Sequence, residues 1–267
     1  MRNNVAIQSA PWLIKASVPD PKLRLFCFPY AGGNAFNYNS WRPELDPSIE
    51  ICAVQLPGRA VRINEPPITS MPELLRQLAP VVAQQGNLPF AFFGHSVGGL
   101  IAFELARYLW LHDINGLQHL IVSGCHAPQF RNPSRKLSRL PDDEFISELR
   151  DYNGTPAKVL ANLELMNLLL PTIRADFALA EDYIYRPGPL LQMPISVFAG
   201  REEDNKGPGQ VDGWMKETTG PCQVTWFDGG HFFVNSDHET VVRQVNAELI
   251  ATKTRLRSGG VARPDLR

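Results

Sequence analysis

The chain has 267 residues, 44% hydrophobic and 20% charged, a composition for one large α/β domain or two small ones. Its net charge of −1 excludes a global basic field for nucleic acid. Its four cysteines, Cys27, Cys52, Cys125 and Cys222, stand far apart with no C-x-x-C pair and argue against a zinc site.

Residues 1–20 are polar and punctuated by proline, and read as an extended segment. No apolar leader follows Met1-Arg2 and no run reaches about 18 apolar residues, so a cytoplasmic protein with no membrane partner is expected. Leu23–Phe28 is the first strong strand and runs into the Gly-rich turn Pro29-Tyr30-Ala31-Gly32-Gly33-Asn34. Ile49–Leu56 is the second, closed by Pro57-Gly58. Ser70 is placed to cap a helix over Pro72–Gln85, with Glu73 at the capping-box position. Phe90–Gly94 is the third strand, Val97–Leu111 a helix and Leu117–Ser123 the fourth strand.

From Ala127 to Arg186 the strand signal stops. Asp142–Arg150 reads as one helix and Ala157–Tyr185 as one or two, with Pro171 expected to kink or break the segment. Strands resume at Pro194–Gly200 and Gln223–Phe227, and His238–Thr252 is a closing helix. Alternating strand and helix predicts an α/β fold with a mostly parallel sheet and helices on both faces. The helical stretch of about 60 residues is too long for a crossover and reads as a functional insertion or a subdomain. Residues 252–267 carry Gly259-Gly260 and read as a flexible basic tail, with an acidic partner as the lesser alternative.

The chemistry centres on Gly94-His95-Ser96-Val97-Gly98, set between a strand and a helix. That is the pattern of a nucleophile elbow, a sharp, strained turn that exposes the serine hydroxyl. Ser96 needs a base. Among six histidines, His231 follows the last strand in Asp228-Gly229-Gly230-His231-Phe232, where the chain order nucleophile, acid, histidine places it. His95 reads as structural, His112 and His238 as helix-surface residues and His119 as a strand-edge residue. The acid is sought after the strand ending at Gly200, and that loop offers Glu202, Glu203 and Asp204. Two backbone N–H groups are needed for an oxyanion. Val97, directly after the nucleophile, supplies one, and Ala31, on the loop after the first strand, is the candidate for the other.

Taken with Phe28-Pro29-Tyr30-Ala31-Gly32-Gly33, Leu56-Pro57-Gly58-Arg59-x-x-Arg62-x-x-Glu65-Pro66-Pro67, Phe103-Glu104, Pro171-x-x-Arg174-Ala175-Asp176-Phe177 and Gly230-His231-Phe232-Phe233, the elbow gives a chain that resembles the type II thioesterases. These are stand-alone editing enzymes of nonribosomal peptide and polyketide synthesis, with the α/β-hydrolase fold. The resemblance covers about residues 25–235. It implies a single domain over 1–267, with residues 130–186 as a helical lid over an acyl chamber. It implies a carrier protein bearing phosphopantetheine as partner, hydrolysis of aberrant or stalled acyl groups, and no metal or cofactor. A monomer is expected. Ser123-Gly124-Cys125-His126-Ala127-Pro128 resembles members that accompany siderophore assembly lines.

Two departures stand out. The family has Asp three residues after the Gly that ends the fifth strand. This chain has Glu203 at that spacing and Asp204 one later, so spacing favours Glu203 and residue type favours Asp204. Val97 stands where Met or Leu is commoner, and only its backbone is used. Arg59 and Arg62 could bind phosphate, but loop-anchoring salt bridges are the favoured role. The rival functions are a chain-terminating fatty acyl thioesterase, a small-molecule esterase, and a catalytically dead hydrolase fold used as a binding module.

Overall fold

A computed structural model of the chain describes residues 11–131, 136–152, 154–155, 157–203 and 210–258. Seven strands form one sheet in the order β1-β3-β2-β4-β5-β6-β7. They are β1 (Leu13–Ala16), β2 (Leu23–Phe28), β3 (Ile49–Val54), β4 (Phe90–His95), β5 (Leu117–Ser123), β6 (Ile195–Gly200) and β7 (Cys222–Phe227). Every pairing is parallel except that of β1 with β3. The expected mostly parallel α/β sheet is therefore present. β1 lies inside the segment read as merely extended. Four residues with one lysine carry too little alternation to announce a strand, and the exposed edge of β3 completes it.

The central strands read as nearly continuous apolar runs because both faces of the sheet are covered. Alternate residues enter different layers. Phe26, Phe28, Phe92, Leu120 and Val122 meet helices α1 (Met71–Ala83) and α2 (Val97–Leu111). Leu25, Cys27, Phe93 and Ile121 meet a 3-10 helix over Ala35–Glu44 and the last helix, α7 (His238–Arg257). Between β5 and β6 come α3 (Asp142–Tyr152), α4 (Ala157–Leu160) and α5 (Leu163–Glu181). Phe145, Leu149, Met166, Leu170 and Ile173 give this insertion an apolar cluster of its own. Before α7 lies the single turn α6 (Phe233–Ser236).

Several local expectations change. Ser70 occupies the N-cap of α1, but its hydroxyl makes no capping bond. Glu73 turns instead to Arg76 and Gln77 on its own helix. Pro171 does not break α5. It lies on the exposed side together with Asn167, whose carbonyl it leaves without a helical donor, so water can serve that group. The break falls earlier, where the Asn162 side chain caps α5 by accepting from the Leu165 N–H at 3.0 Å. α7 continues to Arg257, past the expected start of a tail at Thr252, and residues 259–267 lie outside the described residues.

His119 is not at a sheet edge. β5 is flanked by β4 and β6, and the imidazole is buried between the hydroxyls of Thr252 at 2.8 Å and Ser196 at 2.9 Å. Burial pulls its pKa to about 4, and Arg255 adds to the shift, although Glu248 lies 3.9 Å away. An unfolded histidine titrates near 6.5. Between these values the unfolded chain binds a proton that the folded chain refuses, so stability falls as pH drops through the window. From pH 7 to pH 5, His119 alone should remove about 2 kcal/mol. Urea midpoints at the two pH values measure this, and a midpoint at pH 5 equal to that at pH 7 would contradict it.

Candidate active site

Ser96 sits between the end of β4 and the start of α2, with φ 57° and ψ −121°. This is a sparsely populated region for a residue with a Cβ, and such strain persists only where the surroundings impose it. Here the Ser96 N–H donates to the Ser123 carbonyl on β5 at 2.8 Å, and the Gly99 N–H donates back to the Ser96 carbonyl at 3.0 Å. The flanking glycines are sterically required. A Cβ on Gly94 would lie 2.1 Å from the Gly98 carbonyl oxygen, and one on Gly98 would lie 2.2 Å from that of Phe28. The elbow predicted from Gly94-x-Ser96-x-Gly98 is thus present in its geometry. Val97 is the first residue of α2, so its N–H has no acceptor within the helix.

His231 follows β7 by a turn in which Gly229 has φ +106°, a conformation open to glycine at little cost. Its Nδ1 is hydrogen-bonded to Glu203 Oε1, on the turn after β6. Glu203, the carboxylate at the family's spacing, is thus the partner of His231 among the described residues. Asp204 lies outside the described residues. With Nδ1–H donating to the carboxylate, the Nε2 lone pair is the free one. Nε2 is buried and has no hydrogen-bond partner among the described residues. Rings fix the imidazole from three directions: Phe232 at 4.9 Å, His95 at 5.2 Å and Tyr152 at 5.3 Å between centroids.

His95 is structural, as expected. It is fully buried, with Nδ1 2.9 Å from the Ser123 hydroxyl. Burial holds its pKa well below the usual histidine value, and the neighbouring His231 pushes it the same way. A neutral ring can pack against the candidate base without competing for its charge. His112 is exposed and stacks on Tyr108, and His238 is half-buried beside Glu44. Cys27, Cys52 and Cys125 are buried thiols with raised pKa values, the cause in each being burial first, whereas Cys222 is half-buried.

One cavity of about 550 Å³ joins Ala31, Ser96, Val97, Glu203 and His231. Much of its remaining wall comes from the insertion, with Leu137, Leu149, Tyr152, Ile173, Phe177 and Glu181. Leu170 is buried among the insertion's own residues, while Leu168 points to solvent at 56% exposure. Glu181 is a committed carboxylate: it accepts from the Leu137 N–H at 2.8 Å and from the Ser138 N–H and hydroxyl. The structure assigns Arg59 and Arg62 to ion pairs, with Asp176 at 2.7 Å and Glu65 at 2.5 Å respectively. The phosphate alternative for this pair therefore falls away. The partner of Arg59 was not legible in sequence, because Asp176 lies 117 residues further on and no local pattern links them. Among the described residues, no group of three or more His, Cys, Asp or Glu side chains could hold a metal ion, and no helix is long and apolar enough to cross a membrane.

A mostly parallel sheet that carries a strained serine at the tip of a central strand, in one cavity with a histidine held by a carboxylate, defines the chain as an α/β-hydrolase. The chain belongs to the thioesterase family, whose domain matches residues 23–249, and is a thioester hydrolase of the type II kind. It is 40% identical over 224 residues to the gramicidin S biosynthesis protein GrsT of Aneurinibacillus migulanus, covering 84% of this chain and 88% of that protein. The type II thioesterase BorB from the borrelidin biosynthetic cluster is similar in structure, with a TM-score of 0.80 at 35% identity, covering 91% of this chain and 97% of that one. ClbQ from the colibactin NRPS/PKS pathway is similar with a TM-score of 0.82 at 32% identity, covering 87% and 99% of the two chains.

Proposed function

We propose that this thioesterase clears aberrant or stalled acyl groups from the phosphopantetheine arm of carrier proteins in nonribosomal peptide or polyketide synthesis, using Ser96, His231 and Glu203. The observation that carries the reading is the shared cavity. The elbow serine, the Glu203-held histidine and the two oxyanion candidates open into one space that residues of the helical insertion also line, which supports its reading as a lid.

The steps follow from these groups. His231 Nε2 takes the proton from Ser96 Oγ as the oxygen attacks the thioester carbonyl. Negative charge gathers on the carbonyl oxygen, where the N–H groups of Ala31 and Val97 receive it. The start of α2 adds partial positive charge at the same place. The tetrahedral species collapses, the C–S bond breaks, and the departing thiolate takes the proton from His231. Water then repeats the sequence on the acyl-enzyme with the same base, releasing the acid and restoring Ser96. Glu203 keeps the imidazole in the required tautomer and stabilises its protonated form.

A docked carrier delivers its arm intramolecularly, which raises the effective concentration at Ser96. Free acyl-coenzyme A gains no such docking. An acetyl-carrier protein should therefore show a higher kcat/KM than acetyl-coenzyme A when the two are assayed side by side. Equal values, or a preference for a long-chain oxygen ester, would replace the editing function with an esterase. A fluorophosphonate probe should label Ser96, and failure to label would leave only the binding-module reading.

A further inference from the structure

We infer that the buried Arg59–Asp176 pair is a positioning device for the oxyanion loop, through which helix α5 of the insertion sets the donor at Ala31. The inference rests on the serine mechanism above.

The loop after β2 is held at successive peptides by side chains from elsewhere. Asp176 Oδ2, on α5, accepts from the Gly32 N–H at 2.8 Å. The same carboxylate takes both arms of Arg59, with Nη1 to Oδ2 and Nη2 to Oδ1 each at 2.7 Å. Arg59 Nη1 also donates to the Gly33 carbonyl at 3.0 Å. Gln55 closes the far side, accepting from the Ala35 N–H at 3.2 Å and donating to the Arg59 carbonyl at 3.1 Å. Both charged side chains are at most 4% exposed.

Helix α5 lies directly against this loop. A Cβ on Gly32 would meet Ile173 Cγ1 at 3.1 Å, and the Thr172 hydroxyl donates to the Gly58 carbonyl next to Arg59. Asp176 also lines the cavity that holds Ser96. The Gly32 N–H that it grips is bonded to the carbonyl carbon of Ala31. The direction of the neighbouring Ala31 N–H is thereby tied to a side chain from the lid.

A bidentate pair of this kind would not be needed merely to close the fold. Replacement of a buried ion pair by apolar residues is often neutral for stability. What the fork supplies is direction, with two parallel bonds that fix the orientation of a planar group. Oxyanion donors depend on that direction, since they act only where charge develops.

The variants are Asp176→Asn, which keeps the shape and one acceptor but removes the charge, and Arg59→Lys, which keeps the charge but removes the fork. Each is assayed on a small acyl thioester and titrated with two analogues. One is an acyl trifluoromethyl ketone, which the serine converts to a tetrahedral adduct. The other is the matching thioether, which has no carbonyl and so forms no adduct and no oxyanion. We expect kcat/KM to fall by about 10–100-fold, mainly in kcat, and ketone affinity to fall by the same factor. Thioether affinity should stay within about 2-fold, and the midpoint of the pH profile, which reports the histidine, should not move.

A variant with full kcat/KM, or one that loses both analogues equally, overturns the inference. Thermal melts identify a variant that has not folded, and Arg59→Lys then carries the test alone. Wild-type enzyme that binds ketone no better than thioether would instead defeat the serine mechanism, so the two failures are distinct.

Discussion

Ser96→Ala is expected to lower kcat/KM on a simple acyl thioester by on the order of 10⁴–10⁶-fold, and His231→Ala by a similar factor. The reason is that neither group works alone. Ser96 at its ordinary pKa is a poor nucleophile, and His231 Nε2 has no other proton to take in the first step. The double variant should therefore be little worse than either single one. The strained backbone at Ser96 belongs to the elbow and not to the hydroxyl, so the alanine variant should fold with a melting temperature close to that of the wild type. Parallel steady-state assays and thermal melts test both points. Turnover by Ser96→Ala within about tenfold of wild type would contradict a serine nucleophile.

Glu203→Gln should cost about 10³–10⁴-fold in kcat while leaving the site's shape nearly unchanged. The carboxylate at Nδ1 accepts a hydrogen bond and so keeps the proton on that nitrogen. A glutamine amide can present its NH₂ there instead. That moves the ring proton to Nε2, where it blocks the lone pair that Ser96 needs. The loss should appear in kcat with little change in KM, since Glu203 acts on the base and not on substrate binding. Asp204→Asn carries the opposite expectation, with activity within a few-fold of wild type. The two variants assayed together decide the acid. Near-normal activity in Glu203→Gln with loss in Asp204→Asn would reverse the assignment.

The ambiguity over the acid shows where reading from sequence stops. Spacing from Gly200 favoured Glu203 and residue type favoured Asp204, and nothing local separated them. Which carboxylate meets His231 depends on how the turns after β6 and β7 approach each other. That approach is a long-range property. The missed strand β1 is similar, because its four residues become a strand only by pairing with β3. His119 was misplaced for the same reason. Its strand carries only the short apolar run Leu120-Ile121-Val122, and its place in the middle of the sheet comes from the crossover order. The capping role of Ser70 failed at shorter range, where Glu73 found better partners one turn along.

By itself the sequence determined the α/β alternation, the elbow around Ser96, the position of His231 after the last strand, and the helical insertion between β5 and β6. Each of these is written in contiguous residues: strand and helix periodicities, glycines where a Cβ would collide with backbone, and a long stretch with no strand signal. The tertiary structure alone decided that Glu203 meets His231, that Arg59 answers Asp176 across 117 residues, and that insertion and elbow share one cavity. Short-range sterics and periodicity are local and can be read along the chain. The pairing of buried charges is decided only when desolvation forces each to find a partner, and that partner is whatever the packed fold brings within reach.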